Sequence, residues 1–123
     1  MKLNEFAQEV HQNAVEHGWW ETPPSFGEIV ALCHSELSEA LEEHRADRPQ
    51  LYGIDYVKME RVTDFAQIAE KKLRPEGAAA ELCDCVLRIL DYLASIGIDV
   101  EAVLEAKHEY NKTRPYRHGG KLL

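Results

Sequence analysis

The sequence predicts an all-α protein, a bundle of four or five helices formed by one domain over residues 1–123. Apolar residues recur three and four positions apart along several segments, which is the period of a helix buried on one side. No segment alternates apolar and polar residues as a half-buried strand does. A chain of 123 residues suits one domain with a small core of its own.

Two helices are predicted in the N-terminal third of the chain. The first has apolar residues at helical spacing from Leu3 to Ala14 and ends before Gly18, a residue type that terminates helices. The second is predicted to begin after Ser25 and to run to about Arg45. Serine caps helix N-termini, and a glutamate three residues later completes the pattern of a capping box. A proline-rich turn with two adjacent tryptophans joins the two helices.

The middle of the chain is the least regular part. Residues 46–74 are predicted to form a long variable connection with a short helix over 64–73. A third helix is predicted to begin at Pro75, because proline suits a first helical turn, and to end at Gly97. The apolar stripes are wide for so short a chain, so we expect the protein to oligomerise through its helices.

The charge is acidic overall, with a formal value of −8 at pH 7. Residues 107–123 carry +4 and the first 106 residues carry −12, and residues 115–123 are predicted to form a basic tail. An acidic surface argues against general nucleic-acid binding and suits a protein that binds cations.

Several further features place the chain among cytoplasmic proteins. It has no apolar run of the roughly 20 residues that a membrane span needs, and no membrane contact is expected. Its first residues lack the apolar region of a signal peptide. Cys33, Cys83 and Cys85 are predicted to be free thiols packed as small apolar groups.

Two acid-x-x-acid pairs are the candidate catalytic residues and metal ligands, Glu36 with Glu39 and Glu81 with Asp84. Positions three apart lie on one helical face, so two such pairs on facing helices put four carboxylates around one cavity. Carboxylate oxygens suit Mg²⁺, with Mn²⁺ as the alternative ion. Most single pairs of this kind are solvated surface, and an ion pair between Asp84 and Arg88 is the alternative interpretation of the second pair.

A fourth helix, capped by Asp99, carries the other candidate site residues. Its predicted inward face is first apolar and then cationic and amide, in the order Val100, Val103, Leu104, Lys107, Asn111 and Arg114. Burying such groups is costly unless they meet an anionic partner, either the carboxylates or a bound phosphate. A flexible basic tail is the alternative for the residues from Gly119 onward.

Trp20 and His11 are candidates for a ligand pocket. One of the two adjacent tryptophans can be core, while the other can stack on a flat ring near an acidic site. His11 lies at the flank of the first helix's apolar stripe, where packing is the alternative to ligand contact.

The motifs Glu36-x-x-Glu39, Glu81-x-x-Asp84 and Lys107-x-x-x-Asn111-x-x-Arg114 together resemble the all-α nucleoside triphosphate pyrophosphohydrolases, the MazG-like superfamily. Segments 35–43, 75–93 and 111–121 carry the resemblance. It implies a homodimeric or homotetrameric helical bundle of that type, which binds Mg²⁺ through the four acids. It also implies hydrolysis of a nucleoside triphosphate, often a deoxynucleotide, to the monophosphate and pyrophosphate.

The same resemblance implies roles for the remaining candidates. Lys107, Asn111 and Arg114 would hold phosphate or sugar, Trp20 would contact the base, and His11 would line the nucleotide pocket. The 41 residues between Glu39 and Glu81 exceed the usual gap in the family, which puts substrate choice in doubt. The alternatives are a non-enzymatic helical interaction or metal-binding module, and a hydrolase of another phosphoanhydride such as phosphoribosyl-ATP.

Overall fold

Six helices and one two-stranded sheet make up the computed structural model, which describes all 123 residues. In chain order the elements are α1 (Leu3–Glu16), α2 (Phe26–Arg45), β1 (Gly53–Asp55), β2 (Glu60–Val62), α3 (Phe65–Glu70), α4 (Ala78–Ser95), α5 (Val100–Lys112) and α6 (Arg117–Gly120). The predicted helical class is confirmed, with a small sheet added to it. None of the helices combines the length and apolar character needed to cross a membrane.

Helix α4 is the centre of the fold. Both α2 and α1 pack along it, and α5 packs on α1. A small core lies where α1, α4 and α5 meet, formed by Ala7, Leu90, Ala94 and Val100. Since α2 and α4 are the most extensively packed pair, the acidic residues they carry are held against each other.

Helix ends follow the capping residues that the sequence predicts. The Ser25 hydroxyl accepts from the Glu28 backbone N–H at 3.2 Å, and α2 ends at Arg45 as predicted. Asp64 caps the short helix α3 and Asp99 caps α5, each through its carboxylate. The predicted caps at Ser25 and Asp99 are confirmed, and the Asp64 cap is an additional finding. Each cap is a contact within three residues of chain.

The start of α4 differs from the prediction. The helix begins at Ala78 rather than Pro75, because Glu76 forms a bridge with Tyr52 and its backbone is already hydrogen-bonded there at 2.7 and 2.9 Å. Gly77 lies between the bridge and the helix with φ +107°. A Cβ at this position would lie 2.4 Å from the carbonyl oxygen of Gln50, so only glycine fits this turn.

Residues 46–74 contain a β-hairpin, and the expectation that no segment forms a strand is wrong here. β1 and β2 pair antiparallel over three residues each, which is too short for alternation to be visible in the sequence. Asp55 fixes the turn: its Oδ1 accepts from the backbone N–H groups of Val57 and Lys58 at 3.0 and 3.1 Å. Its other oxygen pairs with Lys71 at 3.0 Å. The predicted short helix in this segment is confirmed as α3.

The predicted inward face of α5 is wrong for most of its length. Only Val100 is buried, whereas Val103 and Leu104 are 49% and 53% exposed.

The cysteine prediction also needs correction: Cys85 is buried and Cys33 partly so, but Cys83 is exposed.

Large apolar side chains remain open along α2 and α4 as well. We call this surface the α2/α4 apolar face, and its exposed members are Val30, Leu37, Leu41, Leu82, Val86 and Ile89. A groove of about 410 Å³ between the two helices, lined by Val30 and Ile89 among others, runs along this face. The stripes are therefore wider than one chain covers, as the sequence indicated.

Candidate metal centre

Three carboxylates converge between the facing helices. Glu36 and Glu39 from α2 and Glu81 from α4 each offer an oxygen, and these oxygens all lie within 4.8 Å of one another. Because Glu36 and Glu39 are three residues apart, they lie on one side of α2. The packing of α2 on α4 places Glu81 beside them. Glu36 is buried, Glu81 is partly buried and Glu39 is exposed, so the cluster opens to solvent on one side. A hard divalent cation suits such a set of oxygens.

The crowded charges change the acidity of the cluster. Burial, followed by hydrogen bonding to Glu39 and Glu36, raises the pKa of Glu81 to about 7. Burial also opposes ionisation of Glu36, but hydrogen bonds from Arg88 and within the cluster outweigh it and lower the pKa of that carboxyl. Without a cation the cluster therefore retains a proton near neutral pH, whereas a bound cation would displace it.

Asp84, the fourth predicted ligand, lies one helical turn from Glu81 and outside this group of three. Burial and the negative charge of Glu36 raise its pKa, while Arg74 and Arg88 act in the opposite direction. The suggested ion pair between Asp84 and Arg88 is wrong, because the Arg88 Nε donates instead to Oε1 of Glu36 at 2.8 Å. Asp84 therefore forms no ion pair, and its carboxylate is only partly shielded from solvent beside the cluster.

A cavity of about 570 Å³ has Arg88, the partner of Glu36, in its wall, while none of the three clustered glutamates lines it. Its other lining residues are Trp19, Trp20, Thr22, Pro24, Glu28, Ile29, Leu32, Asp91 and Tyr92. We call this space the tryptophan cavity. Its mixture of aromatic walls with two carboxylates, Glu28 and Asp91, and one guanidinium is typical of small-molecule sites.

Trp20 and His11 meet at one carboxylate of this cavity. The Trp20 Nε1–H donates to Asp91 Oδ1 at 3.0 Å, and the Nδ1 of His11 lies 2.7 Å from the same oxygen. The two rings also touch edge to face, with centroids 5.0 Å apart. The structure therefore brings these two predicted residues together, with Trp20 in the cavity wall and His11 behind it.

Sequence reasoning assigned no site role to Arg88 or Asp91. Both belong to the polar side of α4, three residues apart, on a helix whose other side is strongly apolar. That spacing is the signal that could have identified them, because Glu81, Asp84, Arg88 and Asp91 follow one another along one helical face.

The structure does not connect Lys107, Asn111 and Arg114 with the carboxylates. Lys107 and Asn111 are exposed, Arg114 is partly buried, and none of the three side chains forms a hydrogen bond or ion pair. The reason is that α5 packs on α1, whereas the carboxylates lie between α2 and α4. Within one chain, Lys107, Asn111 and Arg114 are therefore not placed to bind the same ligand as the carboxylate cluster.

No family model, curated protein or solved structure matches this chain. The likeness to MazG-like enzymes therefore stays a prediction from the motifs.

Proposed function

We propose that the protein is a Mg²⁺-dependent nucleoside triphosphate pyrophosphohydrolase, which converts an NTP or dNTP to the monophosphate and pyrophosphate. The observation that carries the proposal is the convergence of Glu36, Glu39 and Glu81, which Arg88 connects with the tryptophan cavity. A cation site beside an aromatic cavity suits a ligand with a polyanionic end and a flat ring, which is the chemistry of a nucleotide. Mn²⁺ would fit the same oxygens.

In this proposal each group of residues has a separate task. Glu36, Glu39 and Glu81 hold the cation, and Asp84 contributes from the edge of the cluster. Bound Mg²⁺ supplies the positive charge that a triphosphate needs for in-line attack by water. Glu39 is the most exposed of the three clustered acids and accepts the proton of the attacking water. Trp20 stacks on the base, and Asp91 holds the indole in place.

We also propose that the working form is a homo-oligomer, a dimer or a tetramer in the cytoplasm. A second copy would cover the α2/α4 apolar face, which is open in the single chain. Lys107, Asn111 and Arg114 would then hold phosphate oxygens at a subunit boundary, where an exposed cationic stripe meets an acidic site.

The test of the activity is a screen for pyrophosphate release over ribo- and deoxynucleoside triphosphates, with and without Mg²⁺. We expect release from at least one nucleotide, and only with the metal. Glu39→Gln and Asp84→Asn should each reduce turnover strongly while helicity is unchanged. Glu42→Gln is the matched control, since Glu42 lies on α2 but pairs with Arg45 at the surface. Release that is unchanged in both active-site variants would contradict the assigned roles.

A further inference from the structure

Arg88 is the one basic side chain that forms an ion pair with a carboxylate of the candidate metal centre. Its Nε lies 2.8 Å from Oε1 of Glu36, linking α4 to α2 across 52 residues of sequence. Neither Glu39 nor Glu81 has an ion pair with a basic side chain. The guanidinium therefore contacts the cluster directly through Glu36 alone.

Glu36 is the member of the cluster that most needs such a partner. It is only 6% exposed, so water cannot replace a lost hydrogen bond to its carboxylate. Arg88 binds one oxygen of Glu36, and the carboxylate also contacts Glu39 and Glu81, the side chains that would share a cation with it. Hydrogen-bonding partners of this kind fix the orientation of metal-binding carboxylates.

Arg88 also lines the tryptophan cavity. The side chain is 41% exposed, lines the cavity with Trp20 and Asp91, and uses only its Nε in hydrogen bonds. Arginine can hold a carboxylate through one edge while its terminal nitrogens stay available, which a lysine ammonium cannot do. The residue therefore touches the metal centre and the cavity at once.

We propose that Arg88 is a positioning residue, which orients Glu36 for a divalent cation and links the metal centre to the tryptophan cavity. This inference rests on the proposed function in one respect, that the clustered acids bind such a cation. It does not depend on which nucleotide is the substrate, or on turnover.

The test measures binding of Mn²⁺ alone to the full chain, from the electron paramagnetic resonance signal of the free ion. Arg88→Met keeps the length of the side chain but removes the hydrogen bond, and Mn²⁺ should bind about tenfold or more weakly. Arg88→Lys should recover part of the affinity, because its ammonium can still donate to Glu36. Arg45→Met is the matched control, since Arg45 pairs with Glu42 at the surface, and it should bind Mn²⁺ like the wild type.

Three results would overturn the inference. The first is Mn²⁺ binding by Arg88→Met that is as tight as in the wild type, or tighter, because Arg88 would then compete with the cation. The second is an equal loss in Arg88→Lys and Arg88→Met, and the third is an equal loss in Arg45→Met. If the wild type binds Mn²⁺ and Glu39→Gln weakens it, such results leave the proposed function standing. A wild type that binds no Mn²⁺ overturns both.

Discussion

The indole nitrogen of Trp20 donates a hydrogen bond to the Asp91 carboxylate at 3.0 Å. This contact ties the turn between α1 and α2 to the central helix α4, across 71 residues of sequence. His11 reaches the same carboxylate from α1. One wall of the tryptophan cavity is therefore held by two donors on one acceptor, which keeps the ring of Trp20 in a fixed orientation.

Removing the hydrogen bond between Trp20 and Asp91 should destabilise the fold even when an aromatic ring still lines the cavity. Trp20→Phe keeps an aromatic ring but leaves Asp91 with His11 as its only side-chain donor. We expect a loss of about 1 kcal/mol or more in the free energy of unfolding, measured in urea. Trp19→Phe is the control, because Trp19 is 74% exposed and should change stability by less than about 0.5 kcal/mol. Equal effects of the two substitutions would contradict the assigned contact.

The stability of the metal-free protein should depend on the protonation of Glu81. Its pKa is about 7 in the folded state, against 4.5 for an ordinary glutamate, so the folded state binds more protons between these values. Stability should therefore fall as pH rises from about 4.5 to about 7, and then level off. Glu36 has the opposite sign, but its lowered pKa acts below pH 4.5, outside this window.

Glu81→Gln should remove that fall in stability. The measurement is the free energy of unfolding in urea from pH 4.5 to pH 8, with a chelator present in every sample. The variant should lose less stability than the wild type over this range, because glutamine has no proton to release. Parallel curves for the two proteins would show that Glu81 titrates as an ordinary surface acid.

Gly77 should be intolerant of any side chain. A Cβ would clash with the carbonyl oxygens of Gln50 and Pro49, at 2.4 and 2.7 Å, and the positive φ adds strain. We expect Gly77→Ala to cost about 2 kcal/mol or more in the free energy of unfolding. Gly97→Ala separates the two effects, because Gly97 also has a positive φ but nothing lies within 4 Å of its Cβ position. It should cost about 1 kcal/mol, and equal losses would argue against the clash.

The α2/α4 apolar face should be the contact surface between copies. A charge at Val86, which is 51% exposed there, should dissociate the oligomer, so Val86→Glu should sediment as a monomer while the wild type sediments as a dimer or tetramer. Val15→Glu is the control, since Val15 is 41% exposed on α1, outside this face. A monomeric wild type at micromolar concentration would count against the oligomer.

Sequence features that act within one helical turn predicted the helices well. Contacts between distant parts of the chain could not be predicted in this way. The caps at Ser25 and Asp99 and the acid spacing on α2 depend on neighbours within one turn, so the sequence predicts them. The β-hairpin could not be predicted, because its three-residue strands show no period. Arg88 has acids within reach both on α4 and on α2, and only the packed structure decides in favour of Glu36.

The face of α5 shows a second limit of sequence reasoning. Its apolar and cationic stripe indicates that something covers it, but a pattern cannot distinguish the chain's own core from another molecule. In the single chain only Val100 is covered. The predicted partner of Lys107, Asn111 and Arg114 therefore remains part of the proposed function rather than of the fold.

Product analysis tests the central claim most directly. The wild type is incubated with each nucleoside triphosphate and Mg²⁺, and the monophosphate, pyrophosphate and orthophosphate formed are measured together. The account predicts equal amounts of monophosphate and pyrophosphate from at least one nucleotide, no orthophosphate, and neither product after chelation or in Glu39→Gln. Nucleoside diphosphate with orthophosphate, or no product from any triphosphate, would contradict it.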